Sequence, residues 1–252
     1  MIEITYPTSE AAWIGLNKAL VKIDEQPYKD KAKIYSSQVI LYDVLIHIKR
    51  SYIPEDWDFT RTVNYRKAKW NGLKSNYVDK THLEQVLASV KHRELKKTKN
   101  YNESMLFGNS HSHGKGCLLV CTFSRRHTDE TPVLNVVMRA SEIFKRGLLD
   151  FGLVHRIGEE AYGDQPFAVN IFAQQLWMGA DWGSLLYVID KPWFKELKGS
   201  NGFAGKVYEW YEKFRDQEEI MNMNYHAHRR ACKVIQGITA TPPLLARDCN
   251  LY

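Results

Sequence analysis

No apolar run in this 252-residue chain approaches the roughly 18 residues that a bilayer-spanning helix needs. The opening stretch, Met1-Ile2-Glu3-Ile4-Thr5, lacks the charged-then-apolar layout of a secretory signal. Both absences lead us to expect a soluble, cytoplasmic protein without membrane contact. Cysteine is scarce. Cys117, Cys121, Cys232 and Cys249 form no CxxC pair and no zinc-ligand spacing, so reduced thiols are expected rather than a disulfide framework. There is no internal repeat and no low-complexity tract. A true phosphate loop is also missing. Gly108 and Gly114 are separated by five residues instead of four, and Gly116 stands where a Walker hydroxyl belongs. His111 and His113 in the same loop lack a clear third ligand, so no metal site is expected.

Hydrophobic content is 44% and aromatic content 12%, which suits a folded chain of one domain with a sizeable core. The net charge of +6 is unevenly spread. Residues 61–99 hold eleven Lys/Arg against three acids, a local net of +8. A localised basic segment suits a polyanionic partner, and equally a solvated face. Arg66, Lys67, Lys69, Lys96 and Lys97 would contact phosphates, and Trp70, with Tyr65, would stack on bases of single-stranded DNA.

The apolar spacing of Trp13, Leu16, Leu20 and Ile23 predicts a helix over 8–24, capped by Thr8 or Ser9. Ile40, Tyr42, Val44, Ile46 and Ile48 alternate along a long strand within 34–48. A basic helix is expected at 81–98, with Leu83, Val86, Leu87, Val90 and Leu95 inward. Strands are expected at 117–126 and 133–142, joined by a hairpin turn. Helices follow at 151–161 and 167–178, a short buried strand at 185–189, and charged helix over 204–236. The fold class is therefore α+β, a mixed or antiparallel sheet covered by helices.

The richest stretch runs from Pro132 to Phe151. It reads as a buried strand that delivers Arg139, then Ser141 and Glu142, followed by a turn with Gly147 and a second acid, Asp150. An arginine at the end of an apolar strand is costly unless it meets an anion, so a phosphate or nucleotide is the natural ligand. Cys121 lies on the preceding apolar strand. A buried thiol there is ordinarily a small hydrophobe. Activation would need a nearby cation such as Arg125, Arg126 or Arg139.

Residues 117–151 resemble the thymidylate synthase superfamily, which includes phage deoxycytidylate hydroxymethylases. The likeness rests on Met138-Arg139-Ala140-Ser141-Glu142, Gly147 and Asp150. Fainter matches are Ser75-Asn76-Tyr77, Ala173-Gln174-Gln175, which resembles part of a buried helix in the family, and Gly183-Ser184-Leu185-Leu186-Tyr187, which resembles the strand leading to its sugar-binding pair. The family's Pro-Cys-His signature and its His-x-Tyr pair are absent. The resemblance implies a thymidylate synthase-like fold, a homodimer, and one-carbon transfer from methylenetetrahydrofolate to C5 of a pyrimidine deoxynucleotide. It casts Cys121 as the attacking thiol, with Cys117 as the choice if the hairpin turn lies nearer Thr128. Arg139, Ser141, Arg125, Arg126 and Tyr187 would bind substrate, Asp150 would read the base, and Glu142, Glu159 or Glu160 would move protons. A non-catalytic relative that binds single-stranded DNA is the competing expectation. A phage-encoded chain would work in the host cytoplasm.

Overall fold

The computed structural model describes residues 1–51, 80–96, 101–107, 117–144 and 146–214. Their elements run β1 (Ile2–Thr8), α1 (Ser9–Val21), β2 (Ala32–Ile34), β3 (Gln38–Arg50), α2 (Lys80–Leu95), β4 (Glu103–Leu106), β5 (Leu118–Arg125), β6 (Pro132–Glu142), α3 (Gly147–Tyr162) and β7 (Ala168–Gly179). Three short helices follow, α4 (Ala180–Ser184), α5 (Leu186–Ile189) and α6 (Lys191–Lys195), and then α7 (Gly202–Phe214).

The strands form one seven-stranded mixed sheet in the order β1-β3-β7-β6-β5-β4, with β2 also paired to β3. β1 runs parallel to β3, and β6 parallel to β7; the other pairings are antiparallel. One sheet face lies beneath the helices in a continuous apolar core. Trp13, Leu16 and Leu20 of α1 reach it at helical spacing, with Ile46, Ile48, Val136, Ile171 and Phe123 from the strands. Thr8 caps α1, its hydroxyl accepting from Ala11 N at 3.1 Å. Leu83, Val86, Leu87 and Val90 of α2 are buried, but Leu95 is 83% exposed because the helix ends there.

Among the described residues, no helix lies over the other face, which is organised in rows. A chain of polar contacts crosses five strands. His47 joins Glu3 Oε1 at 2.9 Å and Asn170 Oδ1 at 2.8 Å. Asn170 donates to Asn135 Oδ1 at 2.8 Å, and Asn135 donates to Ser124 Oγ at 3.2 Å. Beside it runs an apolar row of cross-strand partners, Leu45, Phe172, Val137, Val120 and Leu106.

Midway along the sheet, three strands change phase together. In β3 the buried residues are Val39 and Leu41, then Val44, Ile46 and Ile48. In β7 they are Ile171 and Ala173, then Leu176 and Met178; in β6 they are Val136 and Met138, then Ser141. The skipped positions are neighbours across the sheet: Tyr42 pairs Gln175, which pairs Ala140. Asp43, in the adjoining row, takes a left-handed φ of 52°. Strict alternation would place Arg139 and Ser141 on one face. The doubled row separates them, and Ser141 turns into the helix-covered side while Arg139 is exposed.

Candidate functional site

The β5–β6 hairpin sets the register of the expected site. Arg126 N donates to Thr131 O and Glu130 N to Arg126 O, both at 2.9 Å, so the turn lies over 127–130, with Glu130 at φ 58°. The pairing slips between Leu118 and Val120. Arg139 N consequently donates to Cys117 O at 2.7 Å, whereas Cys121 faces Val136 and Met105. Cys121 is 1% exposed, and burial drives its thiol far above the ordinary cysteine value. Such apolar surroundings disfavour the thiolate that a nucleophilic cysteine needs. Cys117, half-buried and opposite Arg139, takes its position in the hairpin.

The junction between β6 and α3 brings Ser141 and Asp150 together. Ser141 Oγ donates to Asp150 Oδ2 at 2.6 Å, and both residues are buried. Burial raises the Asp150 carboxyl from 3.8 to about 6, against the opposing pull of the Ser141 hydrogen bond and the Arg146 charge. Glu142 is also buried, at 3% exposure. The junction is pinned from α1. Trp13 Nε1 donates to Ile143 O at 2.8 Å and Phe144 O at 3.2 Å. Ile143 N donates to Trp177 O at 3.0 Å, which ties the strand end to β7. An added Cβ at Gly147 would lie 2.7 Å from Ile143 Cδ1, so the tip of that buried side chain would have to shift. Sequence reasoning took Trp13 as an ordinary inward residue. Only its indole N–H, a donor that needs a buried partner, hinted at the pinning role.

The remaining expected residues lie elsewhere. Arg125 is bound through Nε and Nη2 to the carboxylate of Glu94, and it also donates to Gln165 Oε1 at 2.9 Å and Glu130 O at 2.6 Å. Arg126 pairs with Asp129 at 2.9 Å. Tyr187 packs against Tyr211 at 4.4 Å and Phe194 at 5.7 Å between ring centroids, among α5, α6 and α7. Glu159 pairs with His155 on α3. Residues 167–178, expected as helix, form β7, and residues 185–189, expected as strand, are helical at 186–189. The family-like Ala173-Gln174-Gln175 thus sits on a strand, and Gly183–Tyr187 lies in helices. Lys96 is exposed just beyond α2. Arg66, Lys67, Lys69, Trp70, Lys97, Ser75–Tyr77, His111, His113, and the part of the 204–236 helix beyond 214 lie outside the described residues. Among the described residues, no helix is long and apolar enough to cross a membrane.

Compared with models of known protein families and with curated proteins, the chain matches none.

Proposed function

We propose that this chain is a divergent thymidylate synthase-like protein that binds a pyrimidine deoxynucleotide at the β6–α3 junction. The observation that carries the reading is the buried Ser141–Asp150 pair, 2.6 Å apart, at the end of the strand whose Arg139 faces Cys117 across the hairpin. In this reading Asp150 contacts the base and Ser141 holds the Asp150 carboxyl in place, while Arg139 and Cys117, on the other side of the sheet, do not reach the same ligand. A protonated Asp150 offers one donor and one acceptor, the pattern complementary to N3 and the amino group of cytosine. An asparagine there would suit uracil instead.

The resemblance also implies methylenetetrahydrofolate. The rings packed around the junction are Trp13, Phe144 and Trp182, with centroids 5.4 and 6.1 Å apart. All three are buried, so none offers a face to a pteridine. These three rings do not form a folate seat. The homodimer that the resemblance implies would use the sheet face that carries the Leu45–Phe172–Val137 row.

Thermal melts with deoxycytidylate and deoxyuridylate test the reading. A specific ligand at ~100 times its Kd should stabilise the fold by about 2.7 kcal/mol. Deoxycytidylate should stabilise more, Ser141→Ala should weaken both nucleotides, and Asp150→Asn should reverse the preference. The absence of any saturable shift with either nucleotide would sink the proposal.

A further inference from the structure

A second constellation lies away from the junction. Ser51 Oγ, just past the end of β3, is 2.9 Å from His155 Nδ1 on α3. His155 Nε2 is 3.1 Å from Glu159 Oε1, one turn further along. Ser9 Oγ, at the start of α1, is 3.4 Å from Ser51 Oγ. Ser51 is 6% exposed.

The proton positions follow from the partners. An ionised Glu159 only accepts, so His155 Nε2 carries the imidazole proton and Nδ1 is a bare acceptor. The Ser51 hydroxyl then donates to Nδ1, and the Ser9 hydroxyl donates to Ser51 Oγ. The arrangement is held in place by its surroundings. Ser51 N donates to Phe167 O at 2.8 Å, and the His155 ring stacks on the Phe167 ring at 5.7 Å and 17°. Burial lowers the His155 pKa, Arg156 adds to the effect, and the Glu159 charge opposes it.

A hydroxyl against an imidazole, with the far ring nitrogen held by a carboxylate, is the arrangement that activates serine. We propose that Ser51 is a nucleophile toward small carboxylic esters, with His155 as its base and Glu159 as a positioning residue. Ser51 Oγ forms a bond to the ester carbonyl carbon, and its proton passes to His155 Nδ1. The C–O bond of the ester breaks, and the leaving alcohol takes that proton. Water then attacks the acyl-serine, gives a proton to His155, and releases the acid with Ser51 restored.

The test uses the full chain, a fluorophosphonate probe and p-nitrophenyl acetate. Attack on the probe forms the Ser51 O–P bond, expels fluoride and passes the proton through His155 to solvent. Peptide mapping should place the adduct on Ser51. His155→Gln should slow labelling and ester cleavage by ~100-fold or more, the usual worth of a general base. Glu159→Gln should lower the rate and move the pH midpoint of labelling downward, which a purely structural contact would not do. Mapping the unsubstituted protein makes the result independent of whether a variant folds. A wild-type chain with no adduct at Ser51, or labelling undiminished in His155→Gln, overturns the proposal.

Discussion

At the scale of single residues, Asp150 gives the most direct prediction. Its carboxyl is raised by burial from 3.8 to about 6. Below pH ~3 the acid is protonated whether folded or unfolded, so it costs nothing. As pH rises toward 6, the unfolded chain releases the proton more readily, and stability falls. Above pH 6 the full penalty remains, about 3 kcal/mol for a shift of this size. Asp150→Asn should therefore be more stable than wild type at pH 7.5 and equal to it at pH ~3. Denaturant unfolding at the two pH values measures this, and an Asn variant weaker at pH 7.5 refutes it. Gly147→Ala forces a methyl against Ile143 and should cost about 1–3 kcal/mol. Trp13→Phe keeps most of the packing but leaves the Ile143 and Phe144 carbonyls without their donor, a loss of about 1–3 kcal/mol. Both should lower nucleotide affinity as well, because they loosen the turn that places Asp150.

At the scale of elements, the pair between Glu94 of α2 and Arg125 of β5 fastens the helix to the sheet. Burial alone would raise Glu94, but hydrogen bonds from Arg125 and Tyr101 outweigh it and hold the carboxyl below its ordinary value. The stability it provides is present above the ordinary carboxylate pKa and is lost as acid protonates it. Glu94→Gln should cost about 2 kcal/mol near neutrality, and the difference should vanish in acid. Proteolysis of α2 would report the loosening. Elements with clean periodicity were legible in the sequence. α1 and α2 have one buried stripe each. β7 was misread because its buried residues are Ile171, Ala173, Leu176 and Met178, and the step of three between Ala173 and Leu176 imitates a helix. The same skip moved the inward face of β3 from Ile40 and Tyr42 to Val39 and Leu41. The slip between Leu118 and Val120 leaves no mark in the residue pattern, yet it decides which cysteine pairs with Arg139 through the backbone.

At the scale of the whole molecule, the uncovered sheet face is the feature with the largest consequence for assembly. Phe172 sits mid-row between Leu45 and Val137. If two copies meet there, sedimentation should give a dimer, and Phe172→Glu should give a monomer with an unchanged circular dichroism spectrum. A wild-type monomer at high concentration removes the dimer from the proposal. The sequence marked the strand that carries Arg139 and Ser141 and the acid, Asp150, that follows it. It could not show that Arg139 and Ser141 leave that strand on opposite sides, since the cause lies in the neighbouring strands. The skipped row behaves like a fault line through a layered material. β3, β6 and β7 each cross it at the same level. A one-residue deletion in any one of them would restore ordinary alternation in that strand alone and put its lower half one residue out of register with two unshifted neighbours. The three segments are thus locked to one another in length. A viable shortening would have to remove a residue from all three at once, and the reward for keeping them is a buried serine facing a buried acid.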